Sequence, residues 1–104
     1  VNDEQKDERW VPDVGENAKA RRSRYAEVKR REQLRGWVGR VQRVYSRLSQ
    51  MAEEGSPEQE HFERQWDYYL QVGKSLGSLT REEQDRVLEE YPRLVAQLEA
   101  EHGL

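Results

Sequence analysis

Residues 34–52 read LRGWVGRVQRVYSRLSQMA, and the spacing of their apolar side chains decides the fold class. Leu34, Val41 and Leu48 recur every seven residues. Trp37, Val44 and Met51 follow three positions after each of them, and Val38, Tyr45 and Ala52 four positions after. Positions a, d and e of three successive heptads are therefore apolar, which makes an α-helical stripe wide enough to bury against two neighbours. The stripe runs out at Glu53-Glu54-Gly55, where Gly55 suits the residue just past a helix end.

Upstream the register fades. Tyr25, Ala26 and Val28 do not continue it, so 17–33 reads as a helix with little core face that projects from the rest. Its start falls within 13–18, where Asp13 and Glu16 have capping-box spacing and Asn17 is a second cap. Gly36 and Gly39 interrupt the long helix, each at a cost of up to about 1 kcal/mol relative to Ala; they predict a kink or a break. Residues 1–16 read as a polar, acidic tail anchored through Trp10.

Downstream, Ser56-Pro57-Glu58-Gln59 combines a Ser cap, Pro in the first turn and a Gln that completes a capping box. The helix it opens carries Phe62, Trp66, Tyr69, Leu70, Gly73 and Leu76 on one face and ends at Gly77-Ser78. Thr80-Arg81-Glu82-Glu83 is a second capping box, followed by Val87, Leu88 and Tyr91. Pro92 lacks the N–H for the preceding turn and disfavours helix at Tyr91, so the third helix is expected to kink or stop there. Leu94, Val95 and Leu98 then form a short fourth. The whole reads as all-α: three to four helices in an elongated bundle, over about 17–54, 57–76, 81–91 and 92–102, with 17–104 as a single helical domain.

Composition sets further bounds. The 104 residues are 34% apolar and 38% charged, near the edge of what buries a core. The stripe is most simply a core, but that shortage also favours an oligomer, with a homodimer as the second possibility and Leu34, Trp37, Val41, Val44, Leu48 and Trp66 as the interface between chains. Cysteine is absent, which excludes disulfides, thiolate metal sites and thiol catalysis and suits the cytoplasm. No apolar run approaches the ~20 residues of a membrane span.

The charge is sharply segregated. Between Lys19 and Arg47 stand eleven basic residues and two acidic ones, Glu27 and Glu32, although the whole chain carries −3. At about 100° per residue, Arg22, Lys29, Arg40, Arg43 and Arg47 share an arc of ~60° on the flank away from the core, with Gly36 among them. The stripe is about 37 Å long at ~1.5 Å per residue, close to the ~34 Å of one duplex turn. Arginine outnumbers lysine nine to two in this segment, which suits bidentate phosphate contacts. Arg21, Arg24, Arg30, Arg31 and Arg35 form a second tier.

These features predict a non-enzymatic nucleic-acid-binding protein, regulatory or architectural, that grips phosphates and reads shape. It would lie in the cytoplasm, or in the nucleoid or nucleus. The competing expectation is a protein–protein adaptor whose basic helix docks on an acidic protein, or whose acidic helices dock on a basic one. A further alternative needs no partner: the basic face is simply solvated, or is paired within the chain with Glu58, Glu60, Glu63 and Asp67 and with Glu82, Glu83, Asp85, Glu89 and Glu90. A third expectation, of low weight, is a metal-binding bundle, since Glu58-x-x-His61 and Glu99-x-x-His102 share the spacing of di-iron carboxylate ligands. No phosphate loop, nucleophile elbow or Ser/His/Asp arrangement suggests catalysis, and no cofactor is implied.

Overall fold

The computed structural model describes residues 16–104. Among them are three α-helices and no strand: α1 over Glu16–Met51, α2 over Pro57–Lys74 and α3 over Arg81–His102, with a 3-10 turn at Leu76–Ser78. The all-α expectation holds, with three helices. The expected anchoring by Trp10 and capping by Asp13 lie outside the described residues, and Asn17 is already helical. The chain divides into two compact units, Val1–Glu32 and Gln33–Leu104. The boundary between the units falls next to Leu34, where the apolar stripe begins.

Within 33–104 the chain runs up, down and up. Leu34 and Val38 pack with Val87 near the start of α3 and with Val72, Leu76 and Leu79 around the α2–α3 turn. Val41, Tyr45 and Leu48 pack with Val95 and Leu98 late in α3 and with Phe62 and Tyr69 of α2. So α1 and α3 run parallel, with α2 antiparallel to both. The buried side chains of α1 are its a and e residues, Leu34, Val38, Val41, Tyr45 and Leu48. On a helical wheel these centre about 20° from Val41 toward the e side, which leaves the d positions on the rim. Trp37 and Val44 are accordingly half-buried, and Met51 is 60% exposed.

Two expected breaks do not occur. Helix α1 passes through Gly36 and Gly39 without a break. Burying Leu34, Val38 and Val41 contributes about 1.5–3 kcal/mol each, which outweighs the glycine cost of about 1 kcal/mol apiece. Helix α3 likewise continues through Pro92, so the fourth helix does not exist. Proline removes the donor to the Leu88 carbonyl, but Val87 before it and Val95 and Leu98 after it are all buried in the same bundle. One unbroken helix is the way to seat both halves of that stripe.

The turns follow their sequence signals closely. The Ser56 hydroxyl accepts from the Gln59 N–H at 3.1 Å, and the Gln59 side chain accepts from the Gly55 N–H at 2.8 Å. Gly55 has φ 77°, the left-handed conformation that glycine adopts without strain. At α3 the capping box is complete: Thr80 accepts from the Glu83 N–H at 3.1 Å, and the Glu83 carboxylate accepts from the Thr80 N–H at 3.0 Å. The bond from the Thr80 N–H, with the Thr80 hydroxyl nearby, also holds the Glu83 carboxyl below its ordinary range. Gly103, at φ 65°, closes α3 and turns Leu104 back onto the core.

Leu48→Ala is expected to destabilise the fold by about 2–5 kcal/mol in urea denaturation, while Met51→Ala, at the next d position, changes it by no more than about 0.5 kcal/mol. Pro92→Ala restores the missing helix donor and is expected to raise stability by about 1–3 kcal/mol in the same assay.

Candidate nucleic-acid interface

The first unit's helical part has no core face. From Asn17 to Glu32 every side chain is exposed except those of Ala18 and Arg30, which are half-buried. Tyr25 and Val28 are 67% and 51% exposed. Seven of these residues are basic, Lys19, Arg21, Arg22, Arg24, Lys29, Arg30 and Arg31, against Glu27 and Glu32. The Lys29 ammonium lies over the Tyr25 ring, 5.9 Å from its centroid, so one apolar side chain of this segment already serves as a platform for a cation.

In the second unit, Arg40, Arg43 and Arg47 come together around a groove of about 270 Å³ whose floor is Val44 and Leu104 and whose opposite wall is Glu99. Successive arginines meet there because they stand three and four residues apart on α1. Arg40 is the most constrained: its guanidinium stacks over Trp37 at 5.6 Å and reaches Glu99 at 3.8 Å. Both partners of that pair are substantially exposed, so the ion pair contributes about 1 kcal/mol at most. Arg43 and Arg47 are exposed and have no ion-pair partner among the described residues. Arg35 is exposed as well. Glu99 and Leu104 were not legible as parts of this site. The signal was present in Val95 and Leu98, whose burial sets Glu99 beside α1.

The acidic helices do not lay their carboxylates over the arginine groove in the expected way. Glu60, Glu82 and Glu89 pair with Arg64, Arg86 and Arg93 of their own helices, four residues on. Of the expected partner-interface residues, Leu34, Val41 and Leu48 are 2%, 0% and 3% exposed, covered by this chain's own α2 and α3. They are core, because the a positions face the bundle axis. Trp37 and Val44 keep a partly open edge, and Trp66 is 37% exposed beside a notch formed with Ser46, Ser49, Gln50 and Glu63. The two Glu-x-x-His segments end on one aromatic ring: His61 and His102 each lie 5.6 Å from Phe62. Among the described residues no three His, Asp or Glu side chains converge as a metal site.

A second concave feature lies between α2 and α3. Tyr68, Tyr69 and Tyr91 line a cleft of about 450 Å³. The Tyr69 ring stands edge-on to Tyr68 at 5.0 Å and to Tyr91 at 5.4 Å, and it stacks on Tyr45 at 5.7 Å. Burial raises the ionisation of Tyr45 and Tyr69 above the usual phenol value and pushes Tyr91 up to about 12, with Tyr68 and Glu90 adding to the effect on Tyr91.

Fold and surface thus define a three-helix bundle that presents a densely basic helical segment, an arginine-walled groove and a tyrosine-lined cleft. Comparison with protein-family models, with curated proteins and with solved structures finds no match, and the function rests on the side chains themselves. No helix among the described residues is long and apolar enough to cross a membrane.

Gly36 has open space where a Cβ would stand, so Gly36→Ala is expected to stabilise the fold by about 0.5–1 kcal/mol in urea denaturation. The tyrosines set an alkaline limit. Their folded-state ionisation is raised, so the stability they contribute is whole below the unfolded value of 10.0 and falls as pH rises toward about 12. Unfolding free energy measured between these limits is expected to decline, and Tyr91→Phe to flatten the decline.

Proposed function

We propose that this chain is a non-enzymatic nucleic-acid-binding protein that grips the phosphate backbone through the basic residues of α1. The observation that carries the reading is the state of residues 17–32: helical, exposed along nearly every side chain, and strongly cationic. A helix with no apolar face to bury derives little stability from its own fold. Its charge density suits an external polyanion, whose counterions are released on binding. In this reading Arg22 and Lys29 bind phosphates in the first unit, as do Arg40, Arg43 and Arg47 in the second. Arg21, Arg24, Arg30, Arg31 and Arg35 add to the field. The apolar stripe assigned to a homodimer is covered within one chain, so the proposal does not depend on a second copy.

One observation favours a protein partner as the second reading. The arginine groove has an apolar floor, Val44 and Leu104, and that combination suits an acidic peptide bearing a hydrophobic side chain. A duplex backbone makes no use of such a floor.

The two readings separate in a salt titration. Binding to a duplex of about 20–30 base pairs is expected to weaken between ~50 and ~200 mM salt with a log–log slope of about −4, as for roughly five phosphate contacts. Arg40→Glu combined with Arg43→Glu is expected to abolish it. An absence of duplex binding at ~50 mM salt would overturn the proposal and leave the acidic-protein reading.

A further inference from the structure

The tyrosine cleft between α2 and α3 has no part in the phosphate-binding reading. Its composition is opposite in character to that of the arginine groove. Tyr68, Tyr69 and Tyr91 supply three aromatic rings, and the two edge-on pairs, at 87° and 86°, set neighbouring rings at right angles to each other. Beneath them the lining is aliphatic, with Val87 buried and Val72 and Leu79 half-buried. At about 450 Å³ the cleft is within the range of small-ligand sites.

The charged groups around it are not equivalent. The Glu83 carboxylate accepts from the Thr80 N–H, and the Arg86 guanidinium lies 3.7 Å from Glu82. Glu90, by contrast, is exposed and has no ion-pair partner among the described residues. It stands close enough to Tyr69 and Tyr91 to disfavour ionisation of both phenols. The rings therefore stay neutral at ordinary pH, with their electron-rich faces intact.

We infer that this cleft is a binding site for an alkylammonium cation, its charged head held against the tyrosine rings and Glu90 and its hydrocarbon stem on Val72, Leu79 and Val87. Mutually perpendicular aromatic rings beside a carboxylate stabilise a cation whose charge is spread over methyl groups, because ring faces and carboxylate act together and the methyl groups lose little hydration. A phosphate or carboxylate ligand is disfavoured by Glu90. Two sources present this chemistry: a free quaternary amine, or a methylated lysine side chain of another protein.

The full chain should be titrated by calorimetry with choline, with a short peptide carrying one trimethyllysine, and with 3,3-dimethylbutan-1-ol, the uncharged isostere of choline. A dissociation constant of about 0.1–10 mM is expected for at least one of the cations, with the isostere at least ~10-fold weaker. Tighter binding of choline identifies a free amine as the ligand, and tighter binding of the peptide identifies a protein side chain; both support the site. Tyr68→Ala is expected to weaken binding about 5- to 10-fold and Glu90→Gln about 3-fold. Both positions are exposed, and circular dichroism verifies that the variants stay folded. Equal binding of cation and isostere, or no binding of either cation by ~50 mM, would overturn the inference.

Discussion

Everything in the second unit depends on the stacking of Tyr45 on Tyr69 and the edge-on contact of Tyr69 with Tyr91. Tyr45 comes from α1, Tyr69 from α2 and Tyr91 from α3, so a single run of rings ties the three helices together. Phe62 extends it toward the start of α2, and His102 meets Phe62 edge-on from the end of α3. A chain that is 34% apolar lacks the aliphatic side chains to fill three helix interfaces. Aromatic residues cover more area each, and their offset and edge-on contacts add about 0.5–1.5 kcal/mol per pair beyond burial. Valine and leucine then complete the core on either side of the ladder.

The same shortage accounts for the separation of functions along α1. Where the stripe exists, from Leu34 onward, one face of the helix is committed to the bundle, and the basic side chains Arg40, Arg43 and Arg47 are set on its flank. Before Leu34 there is no apolar stripe, and the side chains of 17–32 meet solvent almost throughout. The acidic residues of α2 and α3 support their own helices, through four-residue ion pairs and first-turn carboxylates. Self-pairing within α2 and α3 leaves the basic charge of α1 largely uncompensated, with Arg40–Glu99 as a link between the basic and acidic parts.

Much of this was legible in the sequence. The heptad spacing from Leu34 to Leu48 announced the buried face of α1, and the Ser56 cap and the Thr80 capping box sit where the sequence placed them, although Gln59 reaches the Gly55 N–H and not that of Ser56. What failed were the helix breaks inferred from single residues of poor helix propensity. Gly36, Gly39 and Pro92 each weaken a helix locally, but the cost is smaller than the loss of a stripe that continues on both sides of them. The assignment of Leu34, Val41 and Leu48 to a second chain failed for a related reason: spacing shows that a face is buried, never by what. The groove wall at Glu99 and the tyrosine cleft were beyond reach because both join residues of different helices, and their register is set by packing.

Gln59 has a part in the order of assembly. Besides closing the Ser56 cap, its side-chain amide donates to the Ser49 carbonyl at 3.3 Å, across the whole α1–α2 turn. Together with the Gly55 bond, it fixes the reversal of the chain within ten residues, before any contact between distant parts is needed. At the second reversal Thr80 and Glu83 fix the start of α3 in the same local way, without a bond back to α2 among the described residues. Nearest-neighbour helices joined by such self-contained corners lose little loop entropy on meeting, and a topology of this kind belongs with the fast folders, which reach the native state in microseconds to milliseconds.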